Sequence, residues 1–146
     1  MSLKLPFFAQ ERPDTCALAC LRMILASLAT PVSEDQLIQA AQMETGGVNP
    51  DELTRLAQQF GLKAQARQLD LTAIQDLIDE QKFPIVFVHR LPIDGIRSGH
   101  AVVVTRVAKR YVTCLDPLQG ARRLARRKLI QAQRLMDCWV VVCEKR

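Results

Sequence analysis

The segment that most constrains this chain is an apolar stretch that begins abruptly at residue 16. The residues before it, QERPDT, are polar, whereas CALACLRMILASL contains only two strongly polar side chains. We expect a helix from Cys16 to Leu28, with Asp14 or Thr15 as its cap. A helix that is apolar on nearly every side is buried in the middle of a fold. The thiol of Cys16 would then lie at the start of a central helix.

The order of the remaining patterns indicates an α+β domain. VSEDQLIQAAQM, NPDELTRLAQQFGL and DLTAIQDLIDEQ begin with the helix-capping residues Ser33, Asn49 and Asp70. LKAQARQL alternates as a strand does, and FPIVFVHR, HAVVVTRV, RYVTCLD and DCWVVVCEK are rich in β-branched residues. Helices followed by closely connected strands predict helices packed on a mostly antiparallel sheet. The length predicts one domain over residues 1–146.

Composition and charge favour a soluble protein. The chain is 49% hydrophobic and 24% charged, and no apolar run reaches the roughly 20 residues of a membrane helix. Without a secretory segment, we expect a cytoplasmic location. The formal charge is +5, and much of the excess lies in residues 121–134, at Arg122, Arg123, Arg126, Arg127 and Lys128. This stretch has no aromatic residue, so we predict a solvated helix face and no nucleic-acid partner.

The five cysteines are predicted to be free thiols. Their number is odd and no signal peptide is visible, which argues against a disulfide framework. Cys20 lies within the apolar helix, and Cys114, Cys138 and Cys143 lie in apolar strand-like runs. We interpret these four as small core side chains. Cys16, at the polar-to-apolar junction, is the exception.

A histidine and an aspartate are predicted to meet at one edge of the sheet. His100 begins the strand HAVVVTRV, and Asp116 ends the strand RYVTCLD. If these strands form a hairpin around Ala108 and Lys109, the start of the first lies beside the end of the second. The other histidine, His89, ends a strand, and we interpret it as structural.

Cys16, His100 and Asp116 are the residue types of a nucleophile, a base and a group that orients the base. A helix N-terminus and a neighbouring imidazolium lower a thiol pKa from about 8.5 to roughly 3.5–7.5. Attack by the thiolate creates an oxyanion, which needs hydrogen-bond donors. The backbone N–H of Cys16 is one candidate, and the side-chain amide of Gln10, six residues upstream, is the other. Asp14 is expected to point away from the sulfur.

Three segments in order, QERPDTCALACLRMIL, SGHAVVV and CLDPLQG, resemble the double-glycine leader peptidases. These papain-like cysteine peptidases form the cytoplasmic N-terminal domain of bacteriocin-exporting ABC transporters, and the resemblance covers essentially the whole chain. It implies a papain-like fold with Cys16 as the nucleophile and His100 as the base. It also implies that Asp116 orients the base and that Gln10 is the oxyanion-hole residue. Ala17 stands where the family often has glycine, and we expect no loss from it.

The resemblance further implies a substrate and a partner. The substrate is a leader peptide, bound as an amphipathic helix and cleaved after a Gly-Gly or Gly-Ala pair. The partner is the membrane and nucleotide-binding parts of an ABC exporter, unless the chain is a stand-alone relative of these peptidases. Neither a metal nor another cofactor is expected.

The residues alone leave three alternatives open. Cys16 and Cys20 lie four residues apart, on one face of a helix, and with His100 they could hold zinc. The chain could also be a module that binds export substrates or other peptides without cleaving them. Finally, an amine could intercept the acyl-enzyme, which would give transfer rather than hydrolysis.

Overall fold

The computed structural model describes residues 5–43 and 47–146 and confirms the predicted α+β class. The sequence TGGVNP, whose glycines interrupt the helical pattern between the second and third predicted helices, lies partly outside these residues. The elements in chain order are α1 (Cys16–Ser27), α2 (Glu34–Ala40), α3 (Pro50–Gln59), β1 (Leu62–Gln68), α4 (Leu71–Asp79), β2 (Ile85–His89), α5 (Leu91–Asp94), β3 (Gly99–Val107), β4 (Tyr111–Asp116), β5 (Gly120–Ala125), α6 (Arg126–Arg134) and β6 (Trp139–Lys145).

Within the described residues, six strands form one antiparallel sheet in the order β1-β6-β2-β3-β4-β5. Strand β2 contributes Ile85 and Phe87 to one apolar cluster and Val86 and Val88 to another. This alternation places a core on each side of the sheet, because successive strand side chains point to opposite faces. Helices α1 and α3 contribute to the first cluster, and α4 and α6 to the second.

The central position of α1 is confirmed. Leu18, Leu21 and Leu25 are fully buried, and α1 packs against β3. The predicted side-chain cap is wrong, because Thr15 occupies the N-cap position without a capping hydrogen bond. The Thr15 hydroxyl instead donates to the carbonyl of Arg12 and accepts from its N–H. The Thr15 side chain therefore stabilises the turn before the helix and does not cap the helix.

The predicted starts of the other helices are confirmed. The side chains of Ser33, Asn49 and Asp70 each accept a hydrogen bond from the third residue of their helix. Gly61 ends α3 with a φ of +94°, a conformation that glycine adopts without strain. No helix among the described residues is long and apolar enough to cross a membrane.

Two predictions in the C-terminal third are wrong. Residues 121–134 do not form one helix face, because residues 120–125 form the edge strand β5 and only Arg126–Arg134 are helical. Pairing along the whole of β4 overrides the local helix preference. Cys114 and Cys143 are buried as expected, but Cys138 is only half-buried. It lies in the turn before β6 with a φ of +58°, and this turn places it at the edge of the core.

Candidate active site

The predicted catalytic residues lie at the ends of three elements. Cys16 is the first residue of α1, His100 the second of β3 and Asp116 the last of β4. His100 and Asp116 are 6% and 3% exposed, whereas Cys16 is half-buried. Cys16 and His100 line a cavity of about 140 Å³ with Val48, Asn49, Pro50, Phe87, Gly99 and Met136. The cavity therefore gives access to the thiol and the imidazole from one side.

The predicted proximity of His100 and Asp116 is confirmed. The hairpin of β3 and β4 brings His100 Nε2 to 2.7 Å from Asp116 Oδ1. Burial opposes a charge on the imidazole, but hydrogen bonds to Asp116 and Cys16 outweigh it and raise the pKa of His100 to about 9. Burial also disfavours the carboxylate of Asp116, yet the hydrogen bond from His100 contributes most to keeping its pKa below the usual value. The pair is therefore electrostatically matched as imidazolium and carboxylate.

The two nitrogens of His100 have different surroundings. Nε2 is bonded to Asp116, so Nδ1 is the nitrogen left to serve Cys16, which lines the same cavity. The backbone N–H of Cys16 lies in the first turn of α1, where N–H groups have no acceptor within the helix. This arrangement can hold a thiolate beside an imidazolium.

Gln10 is bound to two loops that flank the site. Its backbone N–H donates to the carbonyl of Pro117, 3.1 Å away, next to Asp116. Its side-chain nitrogen donates to the carbonyls of Arg12 and Pro13, at 2.8 and 3.2 Å. Among the described residues, Gln10 Oε1 is the only buried side-chain oxygen or nitrogen without a partner. Donation to an oxyanion at Cys16 requires rotation of this amide, and that role stays a prediction.

Two charged residues make contacts near the site that the sequence analysis did not predict: it placed Arg122 on a solvated helix face and gave Glu34 no role. Glu34 is buried at the start of α2, and both its carboxylate oxygens accept from the N–H of Glu11, at 3.3 and 3.1 Å. Burial raises the pKa of Glu34. Arg122 donates to Asp116 Oδ2 at 3.2 Å. No local sequence pattern signalled either contact, since both depend on how separate elements pack.

The remaining candidates have other roles. His89 Nδ1 accepts the N–H of Leu91 at 3.1 Å, which agrees with a structural histidine. Cys20 is fully buried, and burial raises the pKa of its thiol well above the usual value. A buried neutral thiol is a poor zinc ligand. In the described part of the chain, no three His, Cys, Asp or Glu side chains cluster as a metal site requires.

Comparison with known proteins gives both a family and a fold. The model of the peptidase C39 family matches residues 4–140. No curated protein matches the chain. The solved structure of a double-glycine motif protease from an AMS/PCAT transporter, in complex with the leader peptide, has a TM-score of 0.79 at 18% identity. The match covers 99% of this chain and 94% of that one.

Two further solved structures are similar over nearly their whole length. One is the peptidase domain of Streptococcus ComA, a bifunctional ABC transporter involved in quorum sensing, with a TM-score of 0.81 at 18% identity and coverage of 99% of both chains. The other is described as a C39-like peptidase from Bacillus anthracis, with a TM-score of 0.84 at 18% identity and coverage of 98% of this chain and 96% of that one. At this identity, the likeness establishes the papain-like fold of the peptidase domains.

Proposed function

We propose that this peptidase, which belongs to the peptidase C39 family, cleaves a leader peptide after a Gly-Gly or Gly-Ala pair with Cys16 as its nucleophile. The observation that carries the proposal is that Cys16 and His100 line one cavity while His100 is hydrogen-bonded to the buried Asp116. It supplies the nucleophile, base and orienting group of acyl transfer in the order that the chemistry requires.

In the proposed reaction, the Cys16 thiolate attacks the carbonyl carbon of the scissile bond and forms a carbon–sulfur bond. The carbon–nitrogen bond breaks as His100 Nδ1 gives its proton to the leaving amine. Water then loses a proton to Nδ1 and attacks the thioester; the carbon–sulfur bond breaks, which releases the leader acid and regenerates the thiolate beside the imidazolium. Asp116 accepts the Nε2–H throughout and keeps the ring in one orientation.

The oxyanion of each tetrahedral intermediate would accept from the backbone N–H of Cys16 and from the side-chain amide of Gln10. The amide would exchange its bonds to the carbonyls of Arg12 and Pro13 for the bond to the oxyanion. Loss of one such donor costs about 10²–10³ in rate.

The surroundings of Cys16 support a preference for small residues. A Cβ placed on Gly99 would lie 3.4 Å from Met136 Cε, at van der Waals distance, so the Met136 side chain lies directly beside Gly99 in the cavity wall. The cavity is mostly apolar and small, at about 140 Å³. A bulky side chain next to the scissile bond would have to displace Met136 or Phe87, whereas glycine would not.

The proposed setting is the cytoplasmic face of an ABC exporter, with the exporter's membrane and nucleotide-binding parts as partners. Its support is that one of the similar solved structures is the peptidase domain of an ABC transporter, and that another comes from an AMS/PCAT transporter with the leader peptide bound. In this proposal residues 1–146 act as one peptidase domain without metal or other cofactor.

The test is a digest of synthetic leader peptides that end in Gly-Gly, followed by mass spectrometry. Wild type is expected to cut after the second small residue, and Cys16→Ala is expected to bind the peptide without cutting it. Cys138→Ala is the matched control, since it removes a half-buried thiol away from the site. Turnover by Cys16→Ala would refute the mechanism. Binding without turnover by wild type would favour a peptide-binding module.

A further inference from the structure

The two carboxylate oxygens of Asp116 have different partners. Oδ1 accepts from His100 Nε2 at 2.7 Å and from the N–H of Leu118 at 2.9 Å. Oδ2 accepts from Arg122 Nη1 at 3.2 Å. Because the Asp116 side chain is only 4% exposed, water is a poor substitute for this third donor.

Arg122 is itself held from its far side. Its Nη2 donates to Asp94 Oδ1 at 3.1 Å, so one guanidinium bridges two carboxylates. Asp94, the last residue of α5, also accepts from Arg90 Nε at 3.3 Å. Burial opposes the charge on Asp94, but the bonds from Arg122 and Arg90 outweigh it and lower its pKa. The planar guanidinium group of Arg122 is therefore held between two carboxylates.

We propose that Arg122 is a positioning residue for His100, which it controls through Asp116. By occupying Oδ2 it fixes the rotation of the carboxylate, so that Oδ1 faces the imidazole. By placing a cation beside the carboxylate it also weakens the hold of Asp116 on the imidazolium. The inference rests on the proposed function, in which His100 must both take up and release a proton.

The charge effect has a definite sign. Four groups act on His100: Asp116, which is hydrogen-bonded to it, Cys16, which lines the same cavity, Arg122 beyond Asp116, and Asp94 beyond Arg122. Removing the Arg122 cation leaves Asp116 with a single cationic partner, the imidazolium. The ring should then bind its proton more tightly and release it to the leaving amine less readily.

The same strand supplies a matched control. Arg123 follows Arg122 on β5, and its guanidinium stacks 4.5 Å above the ring of Tyr111. The two arginines point to opposite faces because they are neighbours in a strand. Arg123→Met therefore removes the same charge from the same strand without touching Asp116.

The experiment compares Arg122→Met, Arg122→Lys and Arg123→Met by ¹³C NMR titration of the histidines and by steady-state kinetics on the Gly-Gly peptide. His89 is the internal reference for the titration. We expect Arg122→Met to move the His100 midpoint upward by about one pH unit and to lower kcat about tenfold or more. Arg122→Lys keeps the charge but does not bridge both carboxylates, so it should lower kcat with little shift of the midpoint. Arg123→Met should change neither.

A His100 midpoint and kcat that stay unchanged in Arg122→Met would overturn the inference, and so would a downward shift. If Arg122→Met fails to fold, an unchanged kcat in Arg122→Lys overturns it instead. If wild type does not cut the peptide, the proposed function fails, while the titration still decides whether Arg122 acts on His100.

Discussion

The substitution Asp116→Asn tests whether the Asp116 carboxylate keeps the imidazole of His100 protonated. Asparagine has nearly the same shape but lacks the charge that faces His100 Nε2 across 2.7 Å. Both side chains are buried, so bulk water does little to screen the interaction. We therefore expect the pKa of His100 to fall in this variant, because burial, which favours the neutral ring, then acts with less opposition.

The size of the fall follows from the wild-type value. The pKa of His100 is about 9, against an ordinary value of 6.5. At about 1.36 kcal/mol per pKa unit, the difference corresponds to roughly 3 kcal/mol in favour of the charged ring, shared between Asp116 and Cys16. If Asp116 supplies half or more of this free energy, the pKa of His100 in the variant lies near or below about 8, and a smaller fraction of the rings is charged at neutral pH.

The assay is the pH dependence of iodoacetamide alkylation at Cys16, read by mass spectrometry. Wild-type Cys16, which lines the cavity with His100, should react faster than the buried cysteines. In Asp116→Asn, alkylation of Cys16 near pH 7 should slow by up to about fourfold, which is the loss of charged ring expected if the pKa of His100 returns from about 9 to its ordinary 6.5. The thiols of Cys114 and Cys143 are internal references, since burial raises the pKa of each to about 12.

Asp79→Asn provides the same chemical change on the exposed end of α4 and should leave the profile unchanged. An Asp116→Asn profile that coincides with wild type would refute the electrostatic argument. Equal slowing in both variants would instead point to a general loss of stability.

Three further predictions concern stability and the oxyanion. The folded-state pKa of His100 is raised to about 9, so its contribution to the free energy of unfolding should be complete below about pH 6.5 and lost as the pH rises to 9. Urea titrations at several pH values should therefore show the unfolding free energy falling over this range in wild type. The fall should be smaller in His100→Gln. Gln10→Ala should lower kcat about 10²–10³-fold with little change in KM, whereas Gln75→Ala, on the exposed face of α4, should not. Leu21→Ala, at a fully buried position of α1, should cost about 2–5 kcal/mol of unfolding free energy, and Leu135→Ala, which is 55% exposed, about 0.5 kcal/mol or less.

The parts of the site that were predictable depend on local patterns. The junction at Cys16 follows from a change in polarity, and the meeting of His100 with Asp116 follows from the register of one hairpin. Both involve residues close in sequence or joined by a short turn. Sequence reasoning therefore needed no knowledge of how distant elements pack.

The parts that were missed depend on packing between distant elements. Residues 120–125 carry a helix-favouring composition, and only pairing with β4 makes them a strand. Arg122 reaches Asp116 and Asp94 because β5 lies at the sheet edge beside α5. Glu34 binds the N–H of Glu11 across 23 residues. No local pattern encodes such contacts.

Two contacts hold in place the element ends that form the site. Cys16, His100 and Asp116 belong to different elements, and chain ends and turns are the least constrained parts of a fold. Here the loop before Cys16 is bound by the Glu34 carboxylate on one side. On the other side, the N–H of Gln10 bonds to the carbonyl of Pro117, directly after Asp116. The proposed cleavage requires the thiol and the imidazole to keep their relative position to within a fraction of an ångström. The two backbone contacts restrain the loops that carry these groups.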